Sequence, residues 1–268
     1  MPEGHTIHRL AHDHARWLAG NTLAVTSPQG RFSEGASALD GRRMRRTEAH
    51  GKHLFYVFDG DAGDLWVHIH LGLFGKFKMF RTPAPEPRDT VRMRLATADR
   101  VVQLTGPTAC EVLEHADVQR LRERLGDDPL RADADPERVW ERLKRTRRAI
   151  GAVLLDQSVI AGVGNVYRAE LLFLIGVWPA LPSRDLPRAA FDDLWARTVR
   201  LLQLGVKTNR IITTDPAEFG KAPSRLNRGE RLWVYKRKTC RRCDTPIESF
   251  KLANRTIYAC PLCQEKRP

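Results

Sequence analysis

Apolar positions near the start of the chain recur at helical spacing. Ile7, Leu10, His14, Trp17 and Leu18 fall on one stripe, which predicts a helix opening just after Glu3 and stopping at Gly20-Asn21. From residue 23 to about 113 the period changes. Short β-rich runs at 54–58, 65–71, 77–80, 91–95 and 101–104 are separated by turn clusters at 59–64 and 83–87. That spacing predicts an antiparallel sandwich or barrel. Residues 126–136 are polar with two prolines and read as a linker. Val139, Trp140 and Leu143 then begin a helix, followed by helical patterns at 149–157, 166–175 and 191–204. Residues 205–232 show no clear period and read as a long loop. The expected segments are 1–126, 137–226 and 227–268.

The chain of 268 residues, 42% hydrophobic and 29% charged, is long enough for more than one core and has the balance of a soluble globular protein. No apolar run approaches the ~18 residues of a membrane span. The start lacks a basic-then-apolar leader, so a cytoplasmic location without a membrane partner is expected. The net charge is +13, and residues 221–268 hold 13 Lys/Arg against 4 Asp/Glu. Such a balance calls for a polyanionic partner. Its concentration beside a metal motif favours nucleic acid over acidic lipid.

That motif is Cys240-x2-Cys243 and Cys260-x2-Cys263. Two such pairs on a hairpin present four thiolates in a tetrahedron, a closed structural zinc ribbon with no open position for catalysis. Two disulfides are the alternative, disfavoured in a cytosolic protein. Cys110 reads as a small buried apolar residue. Residues 252–258 are expected to form the hairpin tip and return strand, with Arg255 at the tip. Arg255 there suits a phosphate, and equally an ordinary charged surface.

The other candidate chemistry lies at the start. Met before Pro is the usual context for removal of Met1, which would leave Pro2 as a secondary amine able to form an iminium with a sugar carbon. Glu3 stands next to it as a general acid/base. At a helix N-terminus the local positive potential favours the unprotonated amine. Pro-Glu is also simply a good way to open a helix. Gly51-Lys52-His53 places Lys52 at a loop tip, where an exposed lysine is ordinary. Leu73 and Phe74, between Gly72 and Gly75, either tuck into the core or protrude as a wedge for a base stack. The turn carrying Gly162, Gly164 and Asn165 either offers N–H groups to a phosphate or is a tight interhelical turn with Asn165 as N-cap.

The order of these parts resembles the formamidopyrimidine-DNA glycosylase/endonuclease VIII family over nearly the whole chain. The parts are Pro2-Glu3-Gly4, Gly51-Lys52-His53, the Gly162 to Glu170 turn and helix, and the cysteine hairpin with Arg255. The resemblance implies an α+β multidomain fold: an N-terminal helix plus antiparallel β-sandwich, a helix–two-turn–helix domain and a C-terminal zinc ribbon hairpin around a DNA-binding cleft. It implies a monomeric bifunctional DNA glycosylase/AP lyase acting on damaged DNA, duplex or single-stranded, with one structural Zn2+. By motif position, Pro2 is the nucleophile and Glu3 the acid/base, and Lys52, counted with them as catalytic, holds a phosphate beside the lesion together with Asn165 and Arg255. His70 and Gly162 are further expected DNA contacts, and Leu73 and Phe74 are the expected wedge. Formamidopyrimidine enzymes carry an Arg-Phe pair on a loop late in the β domain. This chain has Gly106-Pro107-Thr108-Ala109-Cys110-Glu111 there, which places it nearer endonuclease VIII and oxidised pyrimidines. Rivals from other classes are a non-catalytic DNA-binding zinc-ribbon protein and a basic RNA-associated one. Neither needs a free N-terminal amine, so Pro2-Glu3 favours the enzyme.

Overall fold

A computed structural model describes residues 2–266. The chain divides into two compact units: residues up to Glu3 with Ile7–Arg124, and Gly4–Thr6 with the chain from Leu125 onward.

In the first unit, α1 (Gly4–Leu18) carries the expected stripe, with Ile7, His14 and Leu18 fully buried. It is followed by β1 (Ala24–Thr26), α2 (Ser33–Leu39), β2 (Met44–His50), β3 (His53–Phe58), β4 (Leu65–His70), β5 (Lys76–Arg81), β6 (Val91–Ala96), β7 (Arg100–Thr105), β8 (Ala109–Leu113) and α3 (His115–Glu123). Two four-stranded antiparallel sheets form, ordered β1-β6-β7-β5 and β2-β3-β4-β8. Leu54, Tyr56, Phe58, Val67 and Ile69 from one sheet meet Met93, Leu95, Val102 and Leu104 from the other in a single core with α1. Alternate residues Phe55, Val57 and Trp66 face the other way and are covered by Val118 of α3. β3 is therefore buried on both faces, which is why it reads as a continuous apolar run.

Helices α2 and α3 and three of these strands escape the apolar pattern. β1 is only three residues long, and β2 carries Arg45, Arg46, Thr47 and Glu48 at the sheet edge. Edge strands commonly carry charge in place of a clean alternation. β8 is the opposite edge of the same sheet.

His14 shows a cost of this core. Its Nδ1 lies 2.6 Å from the hydroxyl of Tyr56, and its ring meets Phe77 edge-on at 4.7 Å. Burial lowers its pKa from 6.5 to about 4. Between those values the unfolded chain binds more protons than the folded one. Stability is therefore full above about pH 6.5 and falls as the pH drops toward 4. From pH 7 to 5 this one group is expected to cost about 2 kcal/mol. Urea midpoints check it: His14→Leu with Tyr56→Phe should flatten that part of the decline. Parallel declines in wild type and variant would remove His14 from the account.

The second unit holds α4 (Pro136–Lys144), α5 (Ile150–Val153), α6 (Asn165–Leu174), α7 (Arg188–Thr208) and the hairpin β9 (Glu248–Leu252) and β10 (Arg255–Ala259). Asp135 caps α4 by accepting from the Glu137 N–H, with Pro136 in the first turn. The helix expected at 149–157 is a single turn, because Asp156 accepts from the N–H and hydroxyl of Ser158 and bends the chain away. α7 is longer than the expected 191–204. Gly205 reads as the start of a loop, yet it lies inside the helix. A Cβ there would approach the Tyr167 hydroxyl to 2.5 Å and His5 to 2.8 Å, so this glycine is required for packing. The helix ends at Asn209, in the left-handed conformation. Beyond it the chain is irregular apart from the short 3-10 turns Pro216–Phe219 and Pro223–Arg225. The helices and the cysteine hairpin share one hydrophobic core. Leu171, Leu172, Leu201, Ile257, Cys240 and Cys260 all belong to it, so the core has no break at 226.

Candidate active site and nucleic-acid interface

Pro2 precedes α1 rather than sitting in its first turn. Glu3 is the N-cap residue, fully buried, and its side chain does not cap the helix. Pro2 therefore does not open the helix, while Glu3 still sets an acid at its positive end. Met1 lies outside the described residues. The turn that follows is held within the second unit. The Gly4 N–H donates to the Gly162 carbonyl at 2.8 Å, and a Cβ on Gly4 would come within 2.8 Å of the Gly162 Cα. His5 packs edge-on against Tyr167 at 5.4 Å, and burial lowers its pKa to about 4, leaving it neutral.

In the first unit the hairpin between β2 and β3 turns through Gly51 and Lys52, so Lys52 occupies the tip and is half-buried. Between β4 and β5 the chain turns through Gly72, Leu73 and Phe74, closed by the Gly75 N–H donating to the Leu71 carbonyl. Leu73 is 48% and Phe74 83% exposed, so they protrude rather than tuck into the core. Gly72 has φ +62°, and a Cβ there would meet the Thr108 hydroxyl oxygen at 1.9 Å. That turn is thus seated on the 106–108 link joining β7 to β8. His70 ends β4, and its carbonyl accepts from the Thr108 N–H.

In the second unit the structure brings Asn165 and Arg255 together, with two corrections to the sequence reading. Asn165 is the first residue of α6, and the N-cap is Gly164. The hairpin tip is Ala253-Asn254, both with positive φ, and Arg255 opens β10 exposed, one residue past it. The Asn165 amide donates to the Thr256 carbonyl at 3.0 Å. Its oxygen accepts from Arg168 at 2.7 Å. Arg168 is fully buried and also donates to the carbonyls of Gly151, Leu252 and Arg255. It escaped the sequence reading, although Arg168 and Glu170 are two charges inside an otherwise largely apolar helix, a signal for such a bolt. A third correction concerns Gly162. Its N–H donates to Gln157 Oε1, and the turn is buried. Gly162 serves packing against Gly4, and its N–H is not offered to a phosphate.

The four cysteines cluster, with Sγ atoms all within 4.8 Å of one another. Three of the sulfur pairs, Cys243–Cys263, Cys243–Cys260 and Cys240–Cys263, lie at 3.4, 3.5 and 3.9 Å. A tetrahedron with metal–sulfur bonds of about 2.3 Å sets its sulfurs about 3.8 Å apart, so the donors fit a tetrahedral thiophilic ion. A disulfide would need about 2 Å. Gln264 ties this knuckle to the helices, accepting from the Cys260 N–H and donating to the Val177 carbonyl. Cys260→Ser is expected to loosen the hairpin that carries Arg255 and to weaken DNA binding about tenfold. Titration of duplex DNA checks it beside metal analysis, where one zinc per wild-type chain is expected. Normal binding by a metal-free protein would refute a structural role.

Comparison with known proteins follows the same lines. The formamidopyrimidine-DNA glycosylase N-terminal domain matches residues 1–110, and the H2TH domain of the same enzymes matches 125–217. "Endonuclease 8 1" of Mycobacterium tuberculosis is 46% identical, covering 98% of this chain and 100% of its own. "Endonuclease 8" of Salmonella paratyphi B is 30% identical over 99% and 100%. Among solved structures, MutM in complex with carbocyclic 8-oxo-G containing DNA has a TM-score of 0.81 at 22% identity, covering 99% of this chain and 100% of that one, a likeness of fold. With both domain models and full-length relatives in agreement, the chain belongs to the formamidopyrimidine-DNA glycosylase/endonuclease VIII family, the DNA glycosylase/AP lyases of base-excision repair.

Proposed function

We propose that this protein excises oxidised bases from damaged DNA, pyrimidines in preference to 8-oxoguanine, through an iminium on the nitrogen of Pro2. The observation that carries this reading is Pro2 standing outside the helix with the buried carboxyl of Glu3 beside it. The damaged nucleotide is flipped out of the duplex. The Pro2 nitrogen, freed by loss of Met1, attacks C1′ of the deoxyribose. Glu3 protonates the ring oxygen, the base leaves, and the nitrogen–carbon bond becomes an iminium. The C2′ proton is then acidic. Its removal expels the 3′-phosphate, and water releases the enzyme.

Lys52, Asn165 and Arg255 are assigned to phosphates beside the lesion, and His70 to contact with the DNA. For Asn165 the bond to Thr256 uses one of two amide hydrogens, which leaves one for a phosphate. Leu73 and Phe74 are assigned to the vacated stack. The ion in the cysteine cluster is assigned as zinc, which fixes the Arg255 hairpin and takes no part in the chemistry. Preference for pyrimidines is supported by the link between β7 and β8. It spans only 106–108 and carries no Arg-Phe pair to fill the duplex. The test is borohydride trapping on abasic-site DNA. A covalent adduct that maps to Pro2 supports the reading. A protein that binds such DNA without ever being trapped would be the non-catalytic DNA-binding protein.

A further inference from the structure

On the outer face of the β2-β3-β4-β8 sheet, three side chains from three strands form one hydrogen-bonded line. Glu111 on β8 lies 2.9 Å from His68 Nδ1, and His68 Nε2 lies 2.8 Å from His53 Nδ1. The strand register builds the line, since His68 is paired with Glu111 on one side and Phe55 on the other, and His53 is paired with His70. The order of donors follows from chemistry. A carboxylate only accepts, so His68 donates from Nδ1 to Glu111. A neutral His68 then accepts at Nε2, and His53 donates to it from Nδ1. The rings of His53 and His68 stack at 5.1 Å, His68 stacks on Phe55 at 5.3 Å, and His70 lies against His53 at 5.0 Å. His68 is 4% exposed, so the line is built into the sheet rather than laid on it.

The line ends at the base of the tip that carries Lys52. His53 directly follows Lys52 and pairs with His50 across the two-residue turn. We propose that Glu111, His68 and His53 are positioning residues that act through Lys52, clamping its hairpin tip in the one conformation that presents the ammonium to a DNA phosphate. A long lysine loses less binding to conformational entropy when the backbone that carries it is fixed. Keeping His53 uncharged also spares Lys52 a cation next to it. Burial, then the neighbouring His68, His70, His50 and Lys52, lowers the His53 pKa to about 3. The inference rests on the reading of Lys52 as a phosphate-holding residue. It goes beyond that reading by naming what holds Lys52 in place.

The experiment is a double-mutant cycle read as kcat/KM on duplex DNA with an abasic site. His68→Phe keeps the ring stack and breaks the line, and should lower kcat/KM about tenfold in the wild type and less than about twofold in a Lys52→Ala background. In an Arg255→Ala background the loss should remain about tenfold, since Arg255 lies on a different hairpin. His68→Gln can donate to Glu111 and accept from His53, and should recover activity to within about threefold of wild type. If His68→Phe folds poorly, Glu111→Gln at the exposed end of the line serves in the same cycle. It keeps an acceptor for His68 and loses the charge, with about a threefold loss expected that also vanishes with Lys52→Ala. Equal losses with and without Lys52 would overturn the relay, as would a Gln variant as damaged as the Phe variant. A Lys52→Ala protein with normal kcat/KM would instead overturn the reading of Lys52 on which the relay rests.

Discussion

A preparation that retains Met1, or that carries any N-terminal tag, is expected to lose borohydride trapping altogether and to cut abasic DNA at least about 10^3-fold more slowly. The reason is electronic. In the processed chain the Pro2 nitrogen is a secondary amine with a lone pair available to C1′. Behind another residue it is an amide nitrogen, its lone pair delocalised into a carbonyl, and it cannot form an iminium. Nothing else in the fold need change, because Gly4 and His5 still pack against Gly162, Tyr167 and Gly205. DNA affinity should therefore stay near that of the processed protein while chemistry stops. That split separates a missing nucleophile from a misfolded protein. Mass spectrometry of the intact chain fixes which form is present, and trapping yield on abasic duplex is read beside it. Efficient trapping by a tagged protein would place the nucleophile elsewhere. Pro2→Gly is the informative companion. Its primary amine can still condense with the sugar, so a weaker adduct at residue 2 is expected.

The parts of this molecule legible in its sequence are those whose cause is local. The stripe from Ile7 to Leu18 records a helix with one buried face, and the two Cys-x2-Cys pairs record a tetrahedron that needs only spacing. The buried strands β3 and β4 announce themselves because both their faces are covered. Of the edge strands in the first unit, β1, β2 and β8 do not, since β1 is only three residues long and β2 carries charges where an alternation would show it. The remaining misreadings have distant causes. Gly205 looks like a helix stop until His5 and Tyr167 are seen to occupy the space of its missing side chain. Asn165 looks like a cap until Arg168 and the Thr256 carbonyl fix its amide. Gly162 looks like part of a phosphate cradle until Gln157 takes its N–H. The line from Glu111 to His53 spans three strands, and no spacing along the chain foreshadows it.

Leu73→Ala with Phe74→Ala is expected to reduce excision from matched duplex about 10^2-fold while leaving cleavage at abasic sites, or in single strands, within about fivefold of wild type. Flipping a nucleotide out leaves a hole, and unstacking a base step costs on the order of a few kcal/mol unless something apolar takes its place. About two or three kcal/mol withdrawn from the flipped state corresponds to the hundredfold expected. Leu73 and Phe74 suit that role. They are large, apolar, 48% and 83% exposed, and carried on a turn seated against Thr108 through Gly72. The adjoining 106–108 link is too short to offer a second filler, so the loss should not be rescued from there. Abasic and single-stranded substrates have little stacking to break, hence the smaller effect. The same architecture bears on the lesion. With no Arg-Phe pair on the link between β7 and β8, thymine glycol or 5-hydroxycytosine should be excised in preference to 8-oxoguanine paired with cytosine. Single-turnover excision from duplexes carrying each lesion, wild type beside the double variant, measures both. Equal losses on duplex and single-stranded DNA would remove the wedge, and a clear preference for 8-oxoguanine would move this chain to the other branch of its family.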